Sequence, residues 1–181
     1  MRIFLAIVSL CAALGAVAAQ PAAPLQTIAT LDVQRYSGRW FEVAKFPNRF
    51  QKKCVSDTVA QYQPLADGRV QVTNQCRLAN GQTDQAIGMA RQMGEADSPR
   101  LQVRFAPAWL SVLPWVWGDY WVIDLDPEYR LAAVSEPSRN YLWILSREPS
   151  VDPARYAALL QRLSAQGLDI GRLELSVHST R

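Results

Sequence analysis

Between Gly38 and Ser146 the apolar residues recur at every second position in short runs, and turn residues separate one run from the next. A period of two belongs to strands with one face buried and one face wet. It predicts strands over residues 38–46, 55–63, 70–73, 85–93, 101–105, 119–125, 130–135 and 141–146. Asp67-Gly68, Asn80-Gly81, Ser98-Pro99 and Asp126-Pro127 supply turn chemistry between them. Only afterwards does the period change. Asp152 suits a helix N-cap and Pro153 the first helical position. Tyr156, Leu159, Leu160 and Leu163 then share one helical face, and Gly167 is placed to end it. A short tail strand is expected over 173–177. Eight strands followed by one helix describe an all-β chain, best closed as an eight-stranded antiparallel up-and-down barrel with a C-terminal α-helix. Closure removes the sheet edges that would otherwise seek partners. Periodicity alone does not separate this barrel from a β-sandwich.

The 181 residues suit a single domain with a substantial core. A net charge of +3 is too small to point to nucleic acid. The densest basic group, Arg49, Lys52 and Lys53, reads as a solvated loop. At the front, Met1-Arg2 precedes an apolar stretch over 3–14 and small residues over 16–19. That is the layout of a signal peptide, expected over 1–19, and the stretch is too short for a permanent bilayer span. A Pro/Ala-rich tether is expected over 20–30 and the folded domain over 31–181. The chain is therefore expected to be exported, to the periplasm or beyond the cell. Cys11 offers an alternative, an outer-membrane lipoprotein cut before a lipidated cysteine. Leu10 is bulky for the residue preceding such a cut.

With the signal removed, Cys54 and Cys76 remain. An even pair in an oxidising compartment is expected to bridge, which stabilises by about 3 kcal/mol on the loop-entropy model. Two buried thiols are the alternative. His178 is the single histidine and lies near the tail, so a nucleophile has no evident base. Neither a metal-ligand cluster nor a phosphate-cradling glycine loop stands out. The expectation is a binding protein with no catalytic residues, no metal and no cofactor.

Three segments carry a family resemblance. Gly38-Arg39-Trp40-Phe41-Glu42 resembles the Gly-x-Trp-aromatic-Glu opening of the lipocalins, just after residues 31–36, which suit their short opening turn. Gly118-Asp119-Tyr120 resembles their second motif, with Gly in place of Thr, and Trp143-Ile144-Leu145-Ser146-Arg147 the third. Residues 118–126 and 141–147 are most similar to the bacterial outer-membrane lipocalins and apolipoprotein D. The resemblance implies a barrel that binds, stores or carries a small hydrophobic ligand, a fatty acid or a lysophospholipid, in the cell envelope. It leaves two alternatives open: a tetrapyrrole carrier, or a lipocalin-type enzyme using a free cysteine. A surface-interaction protein with a filled barrel is a third. Trp40 would plug the closed end under the Arg147 guanidinium, a shielded contact worth about 1–2 kcal/mol. Oligomeric state is not assigned.

Alternation from Trp40 and Arg147 turns Glu42, Ala44, Trp143 and Leu145 inward. The resemblance adds Ala60, Tyr62, Val72, Val103, Phe105, Tyr120 and Val122 to the ligand-facing set; these residues either line a cavity or fill the barrel. An inward Glu42 needs a partner, either a polar ligand head or an internal hydrogen-bond network. The segment 106–117 is dense in apolar residues for a loop. In lipocalin order it joins the fifth and sixth strands at the open mouth. Trp109, Leu110, Leu113 and Trp115 are candidates for contact with a membrane surface; a ligand lid and packing on the barrel are the alternatives.

Overall fold

The computed structural model describes residues 23–179, so the expected signal peptide and Cys11 lie outside the described residues. After a one-turn helix α1 (Val33–Tyr36) come eight strands. They are β1 (Gly38–Lys45), β2 (Cys54–Pro64), β3 (Val70–Leu78), β4 (Thr83–Gln92), β5 (Arg100–Arg104), β6 (Gly118–Leu125), β7 (Leu131–Ser135) and β8 (Leu142–Ser146). Helix α2 (Pro153–Ala165) and a two-residue strand β9 (Glu174–Leu175) follow. Each strand pairs antiparallel with the next, and β1 pairs with both β2 and β8, which closes the barrel. β3 runs past the expected 70–73 to Leu78, because the polar stretch Thr73-Asn74-Gln75 carries no alternation to read.

β1 has to serve three neighbours, and it divides its length among them. Gly38–Phe41 pair with β2, Phe41–Lys45 with β8, and Ala44 and Lys45 with β9. The tail thus fills the seam where β1 and β2 part. Ser176 donates its N–H to Val43, and Asp57 of β2 donates its own to Val177. The Asp57 carboxylate in turn accepts from the Ser179 backbone and hydroxyl. The disulfide Cys54–Cys76, with Cα atoms 5.6 Å apart, joins the start of β2 to the upper part of β3.

Helix α2 follows its sequence signals closely. The Asp152 carboxylate accepts from the Arg155 N–H, Pro153 takes the first helical position, and Gly167 turns the chain at φ +79°. Its apolar face packs on the outside of the barrel. Leu159 and Leu163 are fully buried there with Phe46, Ile123, Leu131, Ala133, Leu142 and Ile144. Arg162 pairs with Asp124 at 2.7 Å, and Arg155 with Asp126. A second cluster, inside the barrel, is centred on Trp40 and Tyr62. β7 lies between the two clusters and is buried along its whole length.

Residues 23–30, expected as a tether, run along the fold instead. Leu25 is buried in the helix-side cluster, Ile28 donates its N–H to Val122, and Arg139 donates to the Ala23 carbonyl. Leu25 and Ile28 supply the apolar surface that holds this segment down.

Candidate functional site

The floor of the barrel is built around Trp40. Its indole is fully buried and donates to the Tyr36 carbonyl at 2.8 Å. The Arg147 guanidinium lies 3.9 Å from the ring centroid. Arg147 also donates to the carbonyls of Arg35, Arg39 and Tyr129, at 2.9, 2.8 and 3.1 Å. One arginine therefore ties α1, β1 and the turn before β7 together. Gly38 sits at φ +91°, a backbone conformation that favours glycine, and a Cβ there would be in ordinary contact with this guanidinium at 3.4 Å.

Above the floor, three tyrosines converge. The Tyr36 ring packs tilted against Trp40, centroids 4.8 Å apart, and lies 5.4 Å from Tyr62. The Tyr120 hydroxyl lies 2.9 Å from that of Tyr36 and 2.8 Å from that of Tyr62. Burial pushes the Tyr62 phenol up to about 12 and raises Tyr36 and Tyr120 too. All three stay protonated at neutral pH. Beside them is a narrow apolar cavity lined by Leu31, Val33, Val70, Val72, Leu101 and Val103 among others. Its free space is about 10 Å³.

Of the expected ligand-facing residues, Ala60, Tyr62, Val72, Val122 and Leu145 are buried in the interior cluster, and Val103, Tyr120 and Trp143 pack against it. Phe105 stands at the rim, 43 % exposed. Its ring lies so close to Gly88 that a Cβ there would be 2.7 Å away, which only glycine avoids. Ala44 is the exception. It lies in the helix-side cluster, because the register between β1 and β8 shifts between Glu42 and Ala44 and reverses the alternation. Sequence reading missed Leu31, Val33, Tyr36, Val70 and Leu101. Val70 and Leu101 lie two positions before Val72 and Val103, which the resemblance marked, so alternation from those two reaches them. Tyr36 precedes the strand, where no alternation applies.

Glu42 is buried between the lumen and the seam. Its carboxylate accepts from the Gln51 amide and from the Ser176 hydroxyl. The Gln51 carbonyl accepts in turn from the Trp143 indole at 2.9 Å and from Asn48 at 2.7 Å. Of the two expected partners for this acid, an internal network is the one observed. Burial raises its pKa, against the donors that lower it.

The segment after β5 forms two 3-10 turns, Ala108–Leu110 and Pro114–Val116. Trp109, Val112 and Trp115 are 77, 82 and 75 % exposed. Leu110 and Leu113 are half-buried. Trp117 is half-buried, its ring under Arg91 at 4.1 Å and Arg104 at 5.2 Å, while its indole donates to the Ser111 carbonyl. The loop is thus anchored at its base and bare at its crest. With Cys54 and Cys76 joined, neither supplies the free thiol that a cysteine-based reaction requires.

Residues 31–178 match the family profile described as a lipocalin-like domain. The chain is 39% identical over 157 residues to temperature-induced lipocalin-1 of Arabidopsis thaliana, covering 86% of this chain and 83% of that protein. It is 32% identical over 153 residues to the outer membrane lipoprotein Blc of Escherichia coli (strain K12), covering 84% and 82%. Apolipoprotein D of Mus musculus is 29% identical over 160 residues, covering 84% and 79%. Among solved structures, insecticyanin from the tobacco hornworm Manduca sexta superposes with a TM-score of 0.67 at 17% identity, over 88% and 87% of the two chains, and speaks for the fold alone. Motifs, closed barrel and profile agree: the chain belongs to the lipocalin family, whose barrels generally bind small hydrophobic ligands.

Proposed function

We propose that this lipocalin binds a single-chain acyl lipid, a fatty acid or a lysophospholipid, in its lumen and exchanges it at a membrane surface of the cell envelope. The observation that carries the reading is the pairing of an apolar lumen with a bare apolar crest on the loop at its mouth. Ala60, Val72, Val103 and Val122 offer aliphatic walls to a chain, and Gly88 and Ala60 keep the wall thin. The lumen is narrow at rest, so entry requires side chains at the rim to turn; Phe105 is the half-exposed one over Gly88. Trp109, Val112 and Trp115 would sit in the interface of a bilayer, where tryptophan is favoured. A poorly soluble ligand would then pass from bilayer to lumen without crossing water. Two relatives carry names that fit a lipid setting, an outer membrane lipoprotein and an apolipoprotein.

Delipidated protein should take up the uncharged fluorescent probe phenylnaphthylamine at one site per chain, and dodecanoate should displace it. Absence of uptake, or uptake that dodecanoate leaves untouched, would refute an acyl-binding lumen.

A further inference from the structure

The tyrosine cluster leaves a hydrogen without an acceptor. Three phenols bring three O–H donors, and two contacts, Tyr36 to Tyr120 and Tyr62 to Tyr120, use two of them. If Tyr120 accepts from both, its own hydrogen is spare. If it donates to one, the hydroxyl that accepts has the spare hydrogen. Every arrangement leaves one, and among the described residues none of the three hydroxyls has a further hydrogen-bond partner. A buried donor without an acceptor is costly, so this point calls for a group from outside the protein. Raised phenol pKa values keep the donors protonated.

Burial opposes any charge at the cluster, and the cation that works against that penalty at Tyr36 and Tyr62 is Arg147. Tyr36 packs tilted against Trp40, and Arg147 covers the same indole at 3.9 Å. Its positive charge acts on both Tyr36 and Tyr62. Glu42 opposes it at Tyr62 more weakly than Arg147 acts, its carboxylate being drawn to Gln51 and Ser176. Space sets the size. The free volume on the floor is about 10 Å³, so a group that reaches the hydroxyls there is compact. A phosphodiester head with its substituent does not meet that condition; a carboxylate oxygen does.

We propose that the hydroxyl cluster of Tyr36, Tyr62 and Tyr120 is a carboxylate-binding subsite on the barrel floor, which seats a fatty acid head first with its tail toward the mouth. The proposal rests on the acyl-binding reading above and narrows it from single-chain lipids at large to free fatty acids. Removing one outer hydroxyl leaves a pair with a donor still spare, whereas removing all three leaves none.

Phenylnaphthylamine and dodecanoate are the probes. The triple variant Tyr36→Phe, Tyr62→Phe, Tyr120→Phe should lose dodecanoate affinity by about tenfold or more, as expected for hydrogen bonds to a charged group. Tyr36→Phe or Tyr62→Phe alone should lose clearly less than the triple variant. Phenylnaphthylamine affinity should fall less than dodecanoate affinity in each. If the triple variant binds dodecanoate as the parent does, the subsite is refuted while the acyl-binding lumen stands. If the parent binds neither probe, both fall. Contacts measured by nuclear Overhauser effect on the parent protein decide the matter even if the triple variant does not fold. The methylene beside the dodecanoate carboxyl should contact the rings of Tyr62 and Tyr120, and the terminal methyl should contact Phe105. The reverse pattern overturns the proposal.

Discussion

Trp40 and Glu42 lie two positions apart on β1 and show how differently a buried residue can act. Trp40 is a packing residue with every polar need met. Trp40→Ala should cost about 3–5 kcal/mol, as large aromatic truncations in cores do. Arg147→Ala uncovers the indole and strands three carbonyls, and should cost about 2 kcal/mol. Chemical denaturation reads both; unchanged midpoints would show that the floor does not hold the barrel. Glu42 is a buried acid whose pKa is raised by desolvation. A raised carboxylate pKa means the folded state holds its proton more tightly than the unfolded chain does. Its contribution is therefore most favourable below the ordinary carboxylate range and declines as pH rises through the raised value. Glu42→Gln removes the charge and keeps hydrogen-bonding atoms. The variant should melt above the parent at pH 7, and the gap should close as pH falls. A gap that widens in acid would contradict this account. These two residues also mark how far alternation reads a strand. Counted from Trp40, which the resemblance set inward, it carried Glu42 inward, and it failed at Ala44, where the register shift lies in the backbone and has no signature in side-chain type.

At the level of elements, the seam and the rim loop behave as separate units. β2 and β3 are joined at the mouth by Cys54–Cys76. Replacing both cysteines by Ser should lower stability by about 3 kcal/mol through the freed denatured chain; an unchanged denaturation midpoint would contradict it. The rim loop carries the membrane claim. Its composition was legible from the start, but its shape was not. Which tryptophan points out depends on the Arg91–Trp117–Arg104 stack, whose members are far apart in sequence. That stack half-buries Trp117, while Val112 is bare although Leu110 and Leu113 are the bulkier aliphatics nearby. The variant Trp109→Ser, Val112→Ser, Trp115→Ser should lose association with phosphatidylcholine–phosphatidylglycerol vesicles by about tenfold or more, since apolar area leaves the interface. Its affinity for dodecanoate free in solution should change much less. Intact vesicle binding with lost dodecanoate binding would make the loop a lid. Losing neither, with earlier melting, would make it a packing element.

Over the whole molecule, the order of strands and the single late helix were readable because most strands have one wet face, so burial is written as alternation. Closure was not readable that way, since a sandwich has the same period; the three motifs in order decided it. The lumen was half readable. Alternation gives the inward face of a strand, yet β7 is buried on both faces and shows none, and residues 23–36 enter the cores from outside the strand pattern. The tyrosine cluster needs three elements, α1, β2 and β6, to meet, and no local signal reports such a meeting. The account as a whole stands on one claim, that the lumen holds a single-chain acyl lipid. Mass spectrometry of the organic extract from protein purified under native conditions tests it most directly. The account predicts one dominant class of single-chain acyl lipid, near one molecule per chain, with free fatty acid in excess of lysophospholipid. An extract without acyl lipid from a protein that also fails to take up dodecanoate, or an extract dominated by a tetrapyrrole, would contradict it.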